Sequence, residues 1–220
     1  MNLFTLSLIF FLQGGVIKED FCVHPDSPAR SGKEGAWVAA LPQGWAVTWS
    51  DYRNPGVWGV IDVYAQLLDT DAEPVDSNFR VNVSSGDILE AAGTVGADGQ
   101  GNILVTWGAS QVRFRRRFTP DGEPQGEIVE GGMSGVHLGM NQSGDYVTVG
   151  VEGYLQINLQ AFAKDDICKW GPVEVAVAER FGPTARAAIA PDGSSVVVWD
   201  DVIDGVSCIF GRCFDKDGLP

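Results

Sequence analysis

The chain has 220 residues, 45% of them hydrophobic, enough to bury a sizeable core within one domain. Its formal charge of −14 excludes a nucleic-acid or anionic-membrane surface, because either needs clustered Lys and Arg. Four cysteines without a CxxC pair and only two histidines exclude the usual zinc frameworks, and 28 glycines with abundant Val, Trp and Phe point to short strands joined by tight turns.

Residues 1–15 contain the apolar run "NLFTLSLIFFL" followed by Gly14 and Gly15. The run has the length of a signal-peptide core but lacks a preceding Lys or Arg and an A-x-A site, so a cleaved signal and a strand both stay open. It is too short to span a bilayer, and no membrane insertion is expected. Next comes the short extended stretch "DFCVH" around Cys22.

From there the sequence repeats. The apolar stretches "GWAVTW", "NILVTW", "DYVTVG" and "SVVVWD" end at Trp49, Trp107, Val149 and Trp199, a period of roughly fifty residues. Each is preceded by a strand of small residues ("AWVAAL", "AAGTVGA", "VHLGMN", "ARAAIA") and a Gly- or Pro-containing turn. Each is followed by a third strand ("VIDVYAQLLD", "VRFRRRFTP", "LQINLQAFAK", "VSCIFGRCFD"), in which Gln66, Arg116, Gln160 and Arg212 share one column and Leu68, Phe118, Phe162 and Phe214 another. After an Asp-rich turn of the kind that closes antiparallel hairpins, the first three copies add a fourth strand: "NFRVN", "GEIVE", "VEVAV". The basic cluster Arg113, Arg115, Arg116 and Arg117 reads as a solvated strand face rather than an anion site.

Four antiparallel strands per repeat of this length describe a β-propeller blade. The nearly continuous apolar second strands suit sheets packed on both faces, and the Ala- and Gly-rich first strands suit the crowded axis. The fold is therefore expected to be all-β, a propeller of about four four-stranded antiparallel blades at 34–82, 90–130, 134–178 and 184–220, forming one domain over 16–220. A β-sandwich is the plainer rival.

The fourth copy ends at "FDKDGLP" without an outer strand, and "DFCVH" resembles "NFRVN", with Phe21 and Val23 in the columns of Phe79 and Val81. Residues 16–24 are thus expected to complete the last blade, which would cover an exposed sheet edge. The rival is that the chain is an arc of a larger propeller. If Leu68 faces Phe79 across the hairpin, the same offset sets Cys213 opposite Cys22, making these two the candidate disulfide; free thiols are the alternative.

The unit, idealised as "PDGxxVVxWxDxxxDGxxIxxRxFDxDGxP" and clearest at 191–220, resembles tandem repeats of large exported bacterial proteins, thought to form propellers and to accompany adhesion or carbohydrate-active modules. The resemblance implies a secreted or extracytoplasmic protein, and it carries over no catalytic residue. The loops between second and third strands share one face. Two of them are acidic or aromatic, with Asp51, Tyr52, Arg53 and Trp58 in one and Asp200, Asp201 and Asp204 in the other. Carboxylates beside aromatics suit a sugar, and clustered Asp oxygens suit Ca²⁺, although Asp and Gly also simply build turns. No catalytic residue, resident metal or cofactor is assigned. His137 lies in an inner strand, packed or facing the axis, and Asn82 and Asn141 fit glycosylation sequons. The expected function is a monomeric, non-catalytic extracellular binding or scaffold module for a carbohydrate or an extracellular protein. The alternative is a propeller-based polysaccharide lyase or glycoside hydrolase.

Overall fold

The structure, a computed structural model, describes residues 21–23, 32–53, 61–82, 90–91, 93–109, 112–131, 137–179 and 181–220. The readings placed on 1–20, His24 and Trp58 lie outside these residues. All regular elements among the described residues are strands. β1 (Lys33–Leu41), β2 (Gly44–Asp51), β3 (Asp62–Leu68) and β4 (Pro74–Arg80) form the first sheet in that order. In the second, the inner position is broken into β5 (Glu90–Ala91) and β6 (Val95–Ala97), followed by β7 (Ile103–Ala109), β8 (Val112–Phe118) and β9 (Pro124–Glu130). The third comprises β10 (His137–Met140), β11 (Tyr146–Glu152), β12 (Gln156–Phe162) and β13 (Cys168–Val177), and the fourth β14 (Ala185–Ile189), β15 (Ser195–Ile203) and β16 (Val206–Phe214).

Consecutive sheets pack face to face, as in a four-bladed propeller and unlike a two-layered sandwich. Ala46, Val63 and Leu67 of the first sheet meet Val95, Val105 and Trp107 of the second. Leu104 joins Leu138, Tyr146 and Phe162 between the second and third, and Val147, Ile157 and Val175 meet Ala187, Val197 and Trp199 between the third and fourth. The repeated tryptophans share one environment. Trp49, Trp107 and Trp199 are buried, and each stacks on the aromatic opposite it on the next strand: Tyr64 at 6.3 Å, Phe114 at 5.8 Å and Phe210 at 5.8 Å between ring centroids. Small residues are required at the axis: a Cβ at Gly139 would come within 2.7 Å of the Ala187 carbonyl oxygen, and one at Gly96 within 2.9 Å of Met140 Cβ.

Three expectations are affected. The strand expected at 16–24 lies mostly outside the described residues; of it, Phe21–Val23 line a cavity of about 400 Å³ with Glu34, Ala36, Val47 and Trp49, and the fourth sheet shows three strands among the described residues. Val23 sits near Trp49 much as Val81 joins the core that holds Trp107. Secondly, no disulfide joins Cys22 to Cys213; both are exposed thiols. The assumed register was wrong, because the first hairpin sets Leu68 opposite Pro74, Leu67 opposite Val75 and Tyr64 opposite Arg80. The Cys213 column therefore faces the start of the fourth strand, whereas the Cys22 column faces that of Phe210.

The third change concerns the arginine-rich strand, which is an inter-blade surface rather than a solvated one. Arg117 donates to Asp166 at 3.0 and 3.3 Å, and Arg115 lies 3.6 Å from the same carboxylate. The two guanidiniums also cover the rings of Tyr146 and Phe162, respectively.

Candidate functional site

The inner strands begin at the end of the molecule that carries the β2–β3, β11–β12 and β15–β16 loops, so this end holds both the loop face and one mouth of the axis. The acidic loop residues are there, but the fold uses them. Asp51 is buried at the end of β2 and accepts hydrogen bonds from Trp49 Nε1 at 3.0 Å and Arg53 Nε at 2.8 Å, with the Arg53 guanidinium at 2.6 Å. Burial works to raise its pKa, but the bonds from Arg53 and Trp49, with the charges of Arg53 and Lys33, outweigh it and leave the carboxyl below its ordinary value. Arg53 is held in turn, 3.9 Å over the Tyr64 ring and bonded to Asn78. The Tyr52 hydroxyl donates to Glu34.

In the fourth sheet Asp201 occupies the column of Asp51 and is likewise buried. Its two oxygens accept the Glu179 N–H at 3.1 Å, tying β15 to the segment that leaves the third sheet. Asp200 accepts the Thr184 N–H, and Asp204 is an exposed turn residue with φ of 54°. The structure thus splits the seven predicted residues into an Asp51–Tyr52–Arg53 group on the first sheet and an Asp200–Asp201–Asp204 group on the fourth, with Trp58 outside the described residues. The Asp-rich turns are also self-sufficient: Asp69, Asp98 and Asp215 each accept two backbone N–H groups of their own turn through one oxygen. Among the described residues no three His, Cys, Asp or Glu side chains converge to hold a metal. Both sequon asparagines are buried and structural. Asn82 bonds Asp62 and the Val63 N–H, and Asn141 accepts from Ser143 and Asp145.

A different group converges at the axis. Trp37 of β1, His137 of β10 and Arg186 of β14 come from three inner strands. The Trp37 and His137 ring centroids are 5.2 Å apart, and the Arg186 guanidinium lies 4.6 Å over the Trp37 ring. His137 Nδ1 accepts the Ala187 N–H at 3.1 Å, which fixes the imidazole. Burial, reinforced by the Arg186 charge, lowers its pKa to about 4, so it is neutral near pH 7. Arg186 is exposed and spends one N–H on the Ala185 carbonyl, at 2.9 Å. The result is a cation presented on an indole plate beside a fixed neutral imidazole. Trp37 and Arg186 were not singled out from the sequence. The signal was there, since "AWVAAL" and "ARAAIA" are small-residue strands each interrupted by one large side chain.

The far mouth is a cavity of about 620 Å³ among the β1–β2, β6–β7, β10–β11 and β14–β15 turns, lined by Leu41, Pro42, Asp98, Met140, Asn141 and Pro191. Of its polar side chains, Asp98 and Asn141 are occupied by turn bonds, and Gln142 lines the cavity beside them.

No protein-family model matches the sequence, and no curated protein matches it. Among solved structures, the chain is similar to a putative exo-β-1,3-galactanase from Bifidobacterium bifidum s17, at 14% identity and a TM-score of 0.50 over 90% of this chain and 74% of that one. It is also similar to a GH43 endo-arabinanase from Bacillus licheniformis (13%, TM-score 0.47, covering 86% and 76%). A third similarity is to a PL25 ulvanlyase of a new family of polysaccharide lyases (13%, TM-score 0.47, covering 86% and 52%), of which the chain spans about half the length. At these identities the likeness to the galactanase bears on the fold and on nothing further.

Proposed function

We propose that the protein is an extracytoplasmic, non-catalytic binding module that takes a carbohydrate at the loop-side mouth of the axis. The observation that carries this reading is the convergence of Trp37, His137 and Arg186 from three inner strands. Arg186 is exposed, its guanidinium lies 4.6 Å over the Trp37 ring, and a guanidinium has N–H donors enough to serve sugar hydroxyls or a carboxylate besides the Ala185 carbonyl. The same group occupies the narrowest part of the fold, where inner strands approach to backbone contact and position side chains tightly. A non-catalytic role is supported by the use of Asp51, Asp200 and Asp201 as hydrogen-bond acceptors for the fold, since a glycosidase needs two carboxyls facing its substrate. The galactanase, named for activity on a carbohydrate, adds an analogy of fold only.

Glycan-array binding combined with product analysis tests the reading. The expected result is binding without release of reducing ends or unsaturated sugars, weakened about tenfold by Arg186→Ala, the effect of losing one central contact. Unchanged binding by both Arg186→Ala and Trp37→Ala would remove the axial site. Turnover abolished by Asp51→Ala or Asp200→Ala, in variants that remain folded, would establish the lyase or hydrolase alternative instead.

A further inference from the structure

Two large aromatic side chains stand side by side in solvent. Tyr154 lies in the turn between β11 and β12 and Phe181 in the connection from β13 to β14; they are 65% and 70% exposed. Their rings stack with centroids 4.6 Å apart and planes inclined by 19°. The backbone beneath fixes this arrangement, because the Gly182 N–H donates to the Tyr154 carbonyl and the Ala178 N–H to the Leu155 carbonyl, both at 2.9 Å. The pair is therefore positioned by two loops bonded to each other and not by burial of either ring.

The backbone makes Tyr154 a costly choice. Gly153 and Tyr154 have φ of 54° and 70°, the signs of a hairpin turn that needs positive φ at both central residues. The shorter, two-residue turn of the fourth sheet also has positive φ at both positions, Asp204 at 54° and Gly205 at 77°, and the second of these is a glycine, whereas the second residue of the three-residue loop is Tyr154. Glycine adopts this conformation freely, whereas a bulky side chain adopts it only with strain. Core packing does not explain the tyrosine, which is mostly exposed, and turn stability would favour its replacement. Strain held at an exposed aromatic is the pattern of a display site.

We propose that Tyr154 and Phe181 form a stacking platform for the C–H face of a neutral sugar ring in a polysaccharide. Parallel rings leave each with an outer face turned away from its neighbour, and an apolar plate with a phenolic hydroxyl at its edge matches a pyranose, whose C–H face is apolar and whose rim is hydroxylated. Neutral ligands are selected because Glu152 and Glu179, both exposed, flank the two loops in a chain of net charge −14. The platform shares with the axial site its ligand class and none of its residues.

Affinity electrophoresis of the full chain in gels cast with barley β-glucan or arabinoxylan tests it. Wild type is retarded in at least one of these neutral polysaccharides. Tyr154→Gly and Phe181→Ala weaken that binding by about tenfold, and Tyr154→Phe keeps it within about threefold. Tyr154→Gly relieves the backbone strain and is expected to melt no lower than wild type, so its loss of binding cannot come from unfolding. The platform is overturned if neither polysaccharide retards the wild type, or if Tyr154→Gly and Phe181→Ala are retarded equally with it. Retardation lost in Arg186→Ala and kept in Tyr154→Gly would overturn the platform while leaving the axial reading standing.

Discussion

His137 shows how one side chain can be read as structural and still shape a site. Its Nδ1 is committed to the Ala187 N–H and its ring to Trp37, and Arg186 stands near enough to oppose a second positive charge. The folded state therefore holds the imidazole neutral down to about pH 4, against an ordinary value of 6.5. Between those two values the unfolded chain binds a proton that the folded chain refuses. By linkage, stability falls as pH drops through that window, and this contribution is constant above 6.5. Thermal melts across the window should show the decline in wild type and a shallower one in His137→Asn, whose side-chain oxygen can still accept the Ala187 N–H. Equal slopes would show that His137 does not titrate in this way. The sequence placed this histidine on an inner strand but could not show its partners, which come from chain positions some fifty and one hundred residues away.

At the scale of a strand, the shared column Gln66, Arg116, Gln160 and Arg212 was legible as a repeat but not as a mechanism. In each complete blade the ladder between third and fourth strands skips that residue: the pairing jumps between Ala65 and Leu67, between Arg115 and Arg117, and between Leu159 and Ala161. Opposite the skip stands a residue at positive φ, namely Asp76, Gly126 or Gly171. This is a β-bulge, which bends the outer strand and leaves carbonyls without ladder partners. In the first sheet the Gln66 amide supplies the missing donors, reaching the carbonyls of Leu67, Val75 and Asp76 at 2.9, 3.2 and 3.2 Å from a fully buried position. Gln66→Leu keeps the volume and removes the donors, so it is expected to cost about 1–3 kcal/mol, the penalty for stranding buried acceptors. Urea denaturation would measure it, and a variant as stable as wild type would mean that water replaces the amide. The failed Cys22–Cys213 pairing has a different cause, the tight turn that sets Leu68 opposite Pro74, so that Phe79 stands opposite Ala65 and not Leu68.

For the whole molecule, the succession of sheets and the small axial residues could be read from the repeat because they depend on local pattern, strand period and turn chemistry. What holds one blade to the next could not, because those contacts join residues in different repeats. The arginine strand is the clearest case. "VRFRRRF" looks like a hydrated face, yet Arg115 and Arg117 reach into the third blade to the Asp166 carboxylate, which also accepts the Tyr146 hydroxyl at 2.8 Å. Burial, with Asp166 as acceptor, pushes the Tyr146 hydroxyl well above its ordinary pKa, so it remains a donor at any ordinary pH. One carboxylate thus accepts from Arg117 and Tyr146 and attracts the Arg115 charge, and the two arginines reach it across a blade boundary. Asp166→Ala removes it and leaves two half-buried guanidiniums and a buried hydroxyl without that partner, an expected loss of about 2–3 kcal/mol. A double-mutant cycle with Arg117→Ala should return a coupling of about 1 kcal/mol or more, since the two groups lie in one network. Purely additive effects would show that apolar packing of Leu104 against Leu138, Tyr146 and Phe162 joins the second and third blades without help from the charges.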